Sequence, residues 1–168
     1  KRKFKTVYIP RFNKAIDDRF MKNKWQKITK RPHLIIFEGW CIGAKHQSNY
    51  EIKKPLNFIE RKYDPDIKWR KTVNNLLKNQ YKKLFNRIDK LVYLKAPYFN
   101  RILEWRWTQE QKLKLTSKSK NTMSKSQIKK FIMFYERITR HMMRNFSKIS
   151  DLTIFLDKSH RAKRMRFY

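Results

Sequence analysis

The chain contains only two glycines, Gly39 and Gly43, and both lie in one short segment. A phosphate-binding loop of the form G-x-x-x-x-G-K-[ST] or G-x-G-x-x-G cannot be built from these two residues. Glycine is also the residue that best permits positive φ and a close approach of the backbone. The sequence therefore excludes a glycine-rich phosphate loop within these 168 residues and predicts a sharp turn at one place.

An apolar run, Leu34–Phe37, directly precedes the first glycine and is followed by Glu38. A short apolar run of strand-forming residues that ends in a charged group is typical of a buried parallel strand. Ligands bind at the carboxyl edge of such sheets. We therefore predict a buried strand at 34–37 with Glu38 at the ligand-binding edge.

The other segments predict an alternation of strands and helices in a single domain, 1–168. Such alternation favours right-handed crossovers and a parallel sheet, hence an α/β fold. The segments are an extended stretch at 6–9, weak helical spacing at 21–29, a polar loop at 45–62, a helix from Asp64-Pro65-Asp66 to Phe85, a strand at 91–94, a helix at 99–115, a helix capped by Ser124 and ending near Phe146, a strand at 151–156 and a basic tail from Lys158.

The charge is strongly one-sided, with 44 Lys and Arg against 13 Asp and Glu and a net charge of +31. Such a field attracts polyanions, and nucleic acid is the first partner to consider. The basic residues are spread along the whole chain rather than gathered in one stripe, which favours a background bias combined with small anionic ligands over a dedicated nucleic-acid surface. Both interpretations stay open at this point.

The number of cysteines, the length of the apolar runs and the spacing of the histidines indicate the expected compartment and the kinds of site. Cys41 is the only cysteine, so no internal disulfide forms, which fits a reducing, cytoplasmic compartment. No apolar run approaches the roughly 20 residues that a membrane span needs, so no membrane partner is expected. The four histidines are not paired at metal-ligand spacing, and no direct metal ligand is predicted.

Four segments, in chain order, carry a resemblance to a known family. The segments are Ile9–Arg19 (IPRFNKAIDDR), Phe37–Ala44 (FEGWCIGA), Leu94–Pro97 with Glu104–Lys112 (LKAP and EWRWTQEQK), and Met123–Ser124 with Tyr135–Met142 (MS and YERITRHM). Together they resemble the D-glycerate 3-kinase group of P-loop kinases, which are relatives of uridine kinase and phosphoribulokinase. The likeness covers almost the whole chain.

The resemblance is to the carboxy-terminal part of that family. It implies a P-loop-kinase-like parallel sheet with flanking helices, incomplete at the amino-terminal side, because the family's phosphate loop and catalytic acidic strand lie upstream of the matched segments. It also implies an ATP-dependent kinase of a small hydroxy acid, most closely D-glycerate, that uses ATP and Mg²⁺ and is inactive as this chain alone. Asn13 departs from the family's usual aspartate.

In the first segment, the resemblance implies that Arg11, Lys14, Asp18 and Arg19 bind the substrate. A small hydroxy acid needs cations for its carboxylate and acceptors for its hydroxyls. The guanidinium fork of arginine suits a carboxylate because it can bind both oxygens.

In the later segments, the resemblance implies that Glu38 is catalytic and contacts magnesium through water, while Gly39 and Gly43 let the loop pass near the ligand. Arg101 and Arg106 would belong to a lid that closes over the phosphates, with Arg106 also catalytic. Phosphoryl transfer depends mainly on positioning and on neutralising charge, which is what such groups provide.

Two alternatives to a kinase remain. One is a basic nucleic-acid-binding protein, in which Trp105 and Trp107 stack on bases. The other is a non-catalytic remnant of a kinase.

Overall fold

The computed structural model describes residues 4–13, 16, 18–116 and 122–168. It contains two compact units, Lys1–Glu38 and Gly39–Tyr168. Among the described residues of the first unit, β1 (Val7–Ile9) pairs antiparallel with β4 (Gln26–Ile28), and β2 (Phe12–Asn13) pairs with β3 (Asp18–Arg19).

The helix that the weak helical spacing predicted at 21–29 does not form. The segment forms a single 3₁₀ turn, Lys22–Lys24, and then strand β4. The reason is the pairing with β1, in which Val7 lies opposite Ile28. Tertiary pairing here overrides a weak local preference.

The predicted buried strand at 34–37 is wrong. The segment forms no strand, and Leu34, Ile35 and Ile36 are 75%, 77% and 81% exposed. A strand exists only when its backbone groups find a partner, and among the described residues none pairs with this segment. Glu38 accordingly lies exposed after an unpaired extended segment rather than at the end of a strand.

The sheet of the second unit has the order β5-β6-β7. Strands β5 (Val92–Lys95) and β6 (Leu152–Leu156) are parallel, as the alternation predicted. The third strand, β7 (Ala162–Phe167), pairs antiparallel with β6 where the sequence indicated only a basic tail. The turn between β6 and β7 is closed by Asp157, whose carboxylate accepts the backbone N–H groups of Ser159 and Arg161 at 2.7 and 2.9 Å.

One face of this sheet is apolar and exposed, and we call it the open sheet face. Cross-strand pairing places Val92 opposite Leu152 and Leu152 opposite Phe167 on that face. The exposed members are Val92, Leu94, Met165 and Phe167.

The remaining elements of the second unit are helices. They are α1 (Asn49–Lys53), α2 (Phe58–Tyr63), α3 (Lys68–Leu76), a π-helical turn (Leu77–Tyr81) leading into α4 (Lys82–Phe85), α5 (Phe99–Thr116) and α6 (Lys125–Asn145), which ends in a 3₁₀ turn (Phe146–Lys148). No helix in the described ranges is both long and apolar enough to cross a membrane.

The polar loop predicted at 45–62 is also wrong, because it contains α1 and α2. Ser48 and Glu51 form a reciprocal capping box at the start of α1, and the Asn57 side chain caps α2. These spacings are visible in the sequence and are recognised start signals for helices. Capping satisfies backbone N–H groups that a short helix would otherwise leave open.

The helix predicted from Asp64 begins slightly later, at Lys68. The buried carboxylate of Asp64 accepts backbone N–H groups of Trp69 and Arg70 and the Arg70 Nε at 2.7 Å. Burial raises the pKa of Asp64, but the hydrogen bonds from Arg70 and from the two backbone groups outweigh it, so that the pKa lies below its usual value. Arg70 also donates to the Ile52 carbonyl at 2.8 Å and thereby ties α1 to α3.

The core lies between the helices and the inner face of the sheet. It is formed by the buried side chains of Ala44, Leu77, Phe85, Met142 and Phe146. Tyr93 of β5 packs edge-on against Phe146 with ring centroids 5.1 Å apart, and burial raises its pKa to about 12. The loop that carries the two glycines is thus anchored beside β5 through Ala44.

Candidate functional site

The hairpin of β2 and β3 brings together three of the predicted substrate-binding residues. The Phe20 N–H donates to the Arg11 carbonyl at 2.8 Å, which places Arg11 beside the strand that carries Asp18 and Arg19. All three side chains are exposed, and the Arg11 guanidinium lies 5.4 Å from the centre of the Phe20 ring. Lys14 lies outside the described residues.

The loop that begins at Gly39 is fixed to α6 by Trp40. The Trp40 indole N–H donates to the Thr139 hydroxyl at 2.7 Å, and its ring meets Tyr135 edge-on with centroids 4.7 Å apart. The second and fourth segments of the resemblance, which are far apart in the sequence, are therefore in direct contact.

Gly43 makes the turn in this loop that the sequence predicted. Its φ is +78°, a conformation that costs other residues roughly 1–2 kcal/mol. A Cβ atom there would lie 3.2 Å from Leu91 Cδ2. Both the backbone conformation and the tight contact with Leu91 therefore favour glycine at this position.

We expect Gly43→Ala to lower the free energy of unfolding by about 2 kcal/mol, since it adds backbone strain to a tight contact. Urea unfolding followed by circular dichroism measures this value. Lys45→Ala, at an exposed position two residues away, is the matched control and should stay within about 0.5 kcal/mol of the parent protein. Equal stabilities for the two variants would contradict the prediction.

The two predicted lid arginines lie on α5 but differ in their surroundings. Arg101 donates to the Tyr98 hydroxyl at 2.6 Å and pairs with the exposed carboxylate of Glu104. Arg106 instead pairs with a buried carboxylate, because its Nη1 lies 2.7 Å from Glu110 Oε2. The side chains of Arg106 and Glu110 are 27% and 5% exposed.

Glu110 also reaches the start of the next helix. Its Oε1 accepts the backbone N–H of Met123 at 2.8 Å. Met123 precedes Ser124, which caps α6 as predicted, with Gln127 returning the hydrogen bond. One buried carboxylate thus connects the third and fourth segments of the resemblance.

A cavity of about 280 Å³ opens between α5 and the beginning of α6. Its polar wall contains Glu110, and Lys114 and Lys125 bring positive charge to it. The full lining is Trp107, Glu110, Gln111, Lys114, Thr122, Met123, Ser124, Lys125 and Gln127.

Trp105, predicted as a base-stacking residue in the nucleic-acid alternative, is engaged within the protein. Its indole N–H donates to the Lys158 carbonyl at 3.0 Å, and its ring lies 3.8 Å from that of His160. This contact joins α5 to the turn between β6 and β7.

A buried ion pair that the sequence interpretation did not single out holds α2 against α6. Glu60 is fully buried, and both its oxygens accept from Arg137, at 2.7 and 2.6 Å. The Leu56 N–H also donates to Glu60 at 2.6 Å. Arg137 also donates to the carbonyls of Glu51 and Lys54. The available signal was Glu60 itself, at the third position after the cap Asn57.

The neighbouring His141 is buried on α6, 3.8 Å from a Glu51 oxygen. Burial lowers its pKa, and the Glu51 carboxylate acts in the opposite direction. Cys41 is partly buried, and burial raises the pKa of its thiol, which leaves it in the unreactive protonated form at neutral pH.

The sequence holds no glycine-rich phosphate loop, and across residues 4–13, 16, 18–116 and 122–168 no three His, Cys, Asp or Glu side chains cluster as metal ligands. The groups that the structure does offer are cations and donors for an anionic ligand.

Comparison with known proteins shows a kinase relative at the sequence level. The chain is 28% identical over 135 residues to an uncharacterized kinase, mug58, of Schizosaccharomyces pombe, a match that covers 77% of this chain and 47% of that protein. The chain therefore spans about half the length of the curated relative that it matches. No protein-family model matches it.

Two solved structures share the fold. A D-glycerate 3-kinase from Cryptococcus neoformans var. grubii matches 97% of this chain and 60% of its own with a TM-score of 0.76 and 18% identity. The protein YGR205w matches 96% of this chain and 57% of its own with a TM-score of 0.65 and 19% identity. The resemblance and the P-loop-kinase-like α/β fold predicted from the sequence are confirmed.

Proposed function

We propose that this chain is the carboxy-terminal part of an ATP-dependent kinase that phosphorylates a small hydroxy acid, with D-glycerate as the first candidate. The observation that carries the proposal is the fold shared with a D-glycerate 3-kinase over 97% of the chain. The similarity to mug58 supports a phosphotransferase independently of the fold. In this proposal both compact units belong to one kinase domain, in the cytoplasm as the single cysteine favours.

The β2–β3 hairpin is the proposed substrate-binding element. Arg11 and Arg19 supply exposed cations for the carboxylate of the hydroxy acid, and Asp18 supplies acceptors for its hydroxyls. Lys14, which lies between Arg11 and Asp18 in the sequence, would add a third cation. Hydrogen bonds to charged groups are each worth about 1.5–3 kcal/mol, so this set can select an acid over a neutral alcohol.

Arg106, on α5, is the proposed catalytic cation, and Arg101 accompanies it in the lid. Charge on a transferring phosphoryl group is best stabilised by donors that are already held in place. Glu38 would orient water, and the Gly39–Gly43 loop would lie beside the ligand. ATP would supply the phosphoryl group and Mg²⁺ would offset its charge. Because the sequence contains no glycine-rich phosphate loop, the proposal requires the phosphate cradle to lie in another part of a longer protein.

The proposal is tested on the full-length protein with ATP, Mg²⁺ and separate acceptors. We expect turnover with D-glycerate and the appearance of a phosphoglycerate in ³¹P NMR, with little turnover on uridine, pantothenate or ribulose 5-phosphate. Arg19→Ala should raise KM for the acid by about 10- to 100-fold, whereas Lys27→Ala, exposed on the neighbouring strand β4, should not. Absence of turnover with every hydroxy acid would refute the proposal.

Binding of nucleic acid is the second candidate, and the net charge of +31 favours it. The exposed strand β7 alone presents Lys163, Arg164 and Arg166. Such binding should weaken steeply with salt, because each neutralised phosphate releases counterions. A shallow salt dependence of RNA or DNA binding would remove this candidate.

A further inference from the structure

The inference concerns Glu110, which is buried on the lid helix α5 and contacts two different elements. Its Oε1 accepts the Met123 N–H at 2.8 Å, and its Oε2 lies 2.7 Å from Arg106 Nη1. Its side chain is 5% exposed. A carboxylate is rarely buried to this extent unless it is paired, because removal of its charge from water is costly.

We infer that Glu110 is the positioning residue for Arg106, and that it fixes the guanidinium relative to the start of α6. The inference rests on the proposed function, in which Arg106 is the catalytic cation. Glu110 itself is not proposed to touch the substrate.

The two oxygens of Glu110 contact different groups, and this difference supports the positioning role. Holding the Met123 N–H requires one acceptor, which a neutral side chain can also provide. The second oxygen is buried and makes no hydrogen bond among the described residues, where its charge partner is the Arg106 guanidinium, whose Nη1 lies 2.7 Å away in an ion pair. A negative charge at this buried position is therefore explained by the arginine and not by the helix start.

The surroundings of Arg106 explain why such a residue is needed. Its side chain is partly exposed, and its further hydrogen bond within the described ranges joins Nη1 to Gln109 Oε1 at 3.3 Å. An exposed pair one helical turn apart is a weak interaction and would leave the arginine mobile. A buried carboxylate, itself fixed to Met123, restricts the arginine to one orientation before an anion arrives.

The experiment is a double-mutant cycle in the full-length protein with Glu110→Gln, Arg106→Ala and the combination. Glutamine keeps an acceptor for the Met123 N–H and removes the charge. We expect E110Q to lower kcat by about 10- to 100-fold with KM for the hydroxy acid nearly unchanged, and to have no further effect when Arg106 is already alanine. Asp66→Asn, which removes an exposed carboxylate outside the site, is the matched control.

Two kinetic results would overturn the inference. One is a kcat for E110Q equal to that of the parent protein. The other is an equal loss from E110Q with and without Arg106, which would show that Glu110 acts by another route.

A second readout does not require activity. Side-chain ¹⁵N NMR should show restricted rotation of the Arg106 guanidinium in the parent protein and free rotation in E110Q, while hydrogen exchange at the Met123 amide stays slow in both. Free rotation in the parent protein would overturn the inference. If the parent protein shows no kinase turnover but the arginine is restricted, the proposed function fails and the structural pairing stands.

Discussion

Replacement of Arg137 by methionine is expected to lower the free energy of unfolding by about 3–5 kcal/mol. The change leaves the Glu60 carboxylate, which is fully buried, without its bidentate partner. It also removes the donors to the carbonyls of Glu51 and Lys54, at 2.9 and 2.7 Å. Methionine retains most of the apolar stem, so the loss reports the charge and the hydrogen bonds. Urea unfolding measures it.

The same substitution at an exposed arginine separates the loss of the buried ion pair from the general effect of replacing an arginine by methionine. Arg61→Met, on the exposed side of α2, should change stability by less than about 0.5 kcal/mol. The double variant Glu60→Met with Arg137→Met should recover part of the loss, because replacing both members of a buried pair by apolar residues is often neutral. A loss below 1 kcal/mol for Arg137→Met alone would show that the pair is not structurally important.

Under the proposed function, replacement of Arg106 by alanine is expected to lower kcat of the full-length protein by about 10²- to 10³-fold. The proposed contact strengthens as charge develops on the transferred group, so kcat should fall and KM for the hydroxy acid should change little. Initial rates at saturating ATP give both constants.

The control for that experiment is Lys83→Ala, which removes an exposed cation from α4. Its kcat should match that of the parent protein, which would show that the effect does not arise from net charge. The substitution leaves the buried Glu110 without its charge partner, so the folding of Arg106→Ala is checked by circular dichroism, which should show a folded protein. A kcat within threefold of the parent value would remove Arg106 from the catalytic set.

Local signals in the sequence predicted several elements to within one or two residues. The helix predicted at 99–115 is α5, and the strand predicted at 91–94 is β5. Ser124 caps α6 through its own hydroxyl. The two helices depend on periodicity and on hydrogen bonds within four residues, which a single sequence records, and β5 is marked by its short apolar run.

The errors at Leu34–Phe37 and at β7 concern segments whose structure depends on distant partners, whereas α1 and α2 were missed although their capping signals are local. The run Leu34–Phe37 has strand composition but no partner strand in the described ranges, whereas the charged β7 becomes a strand because β6 offers it an edge. The ion pairs also differ in whether they can be predicted from local sequence. The spacing of Arg106 and Glu110 places them one helical turn apart, but Glu60 and Arg137 are separated by 77 residues, and their contact exists only in the fold.

The open sheet face has a consequence for how the protein behaves in concentrated solution. Its exposed apolar side chains, Val92, Leu94, Met165 and Phe167, belong to a chain of net charge +31, so copies approaching through this face also repel each other. The range of that repulsion shrinks from about 10 Å at 0.1 M salt to about 3 Å at 1 M. High salt, which also releases bound nucleic acid from basic proteins, would therefore screen the repulsion between these faces and promote precipitation.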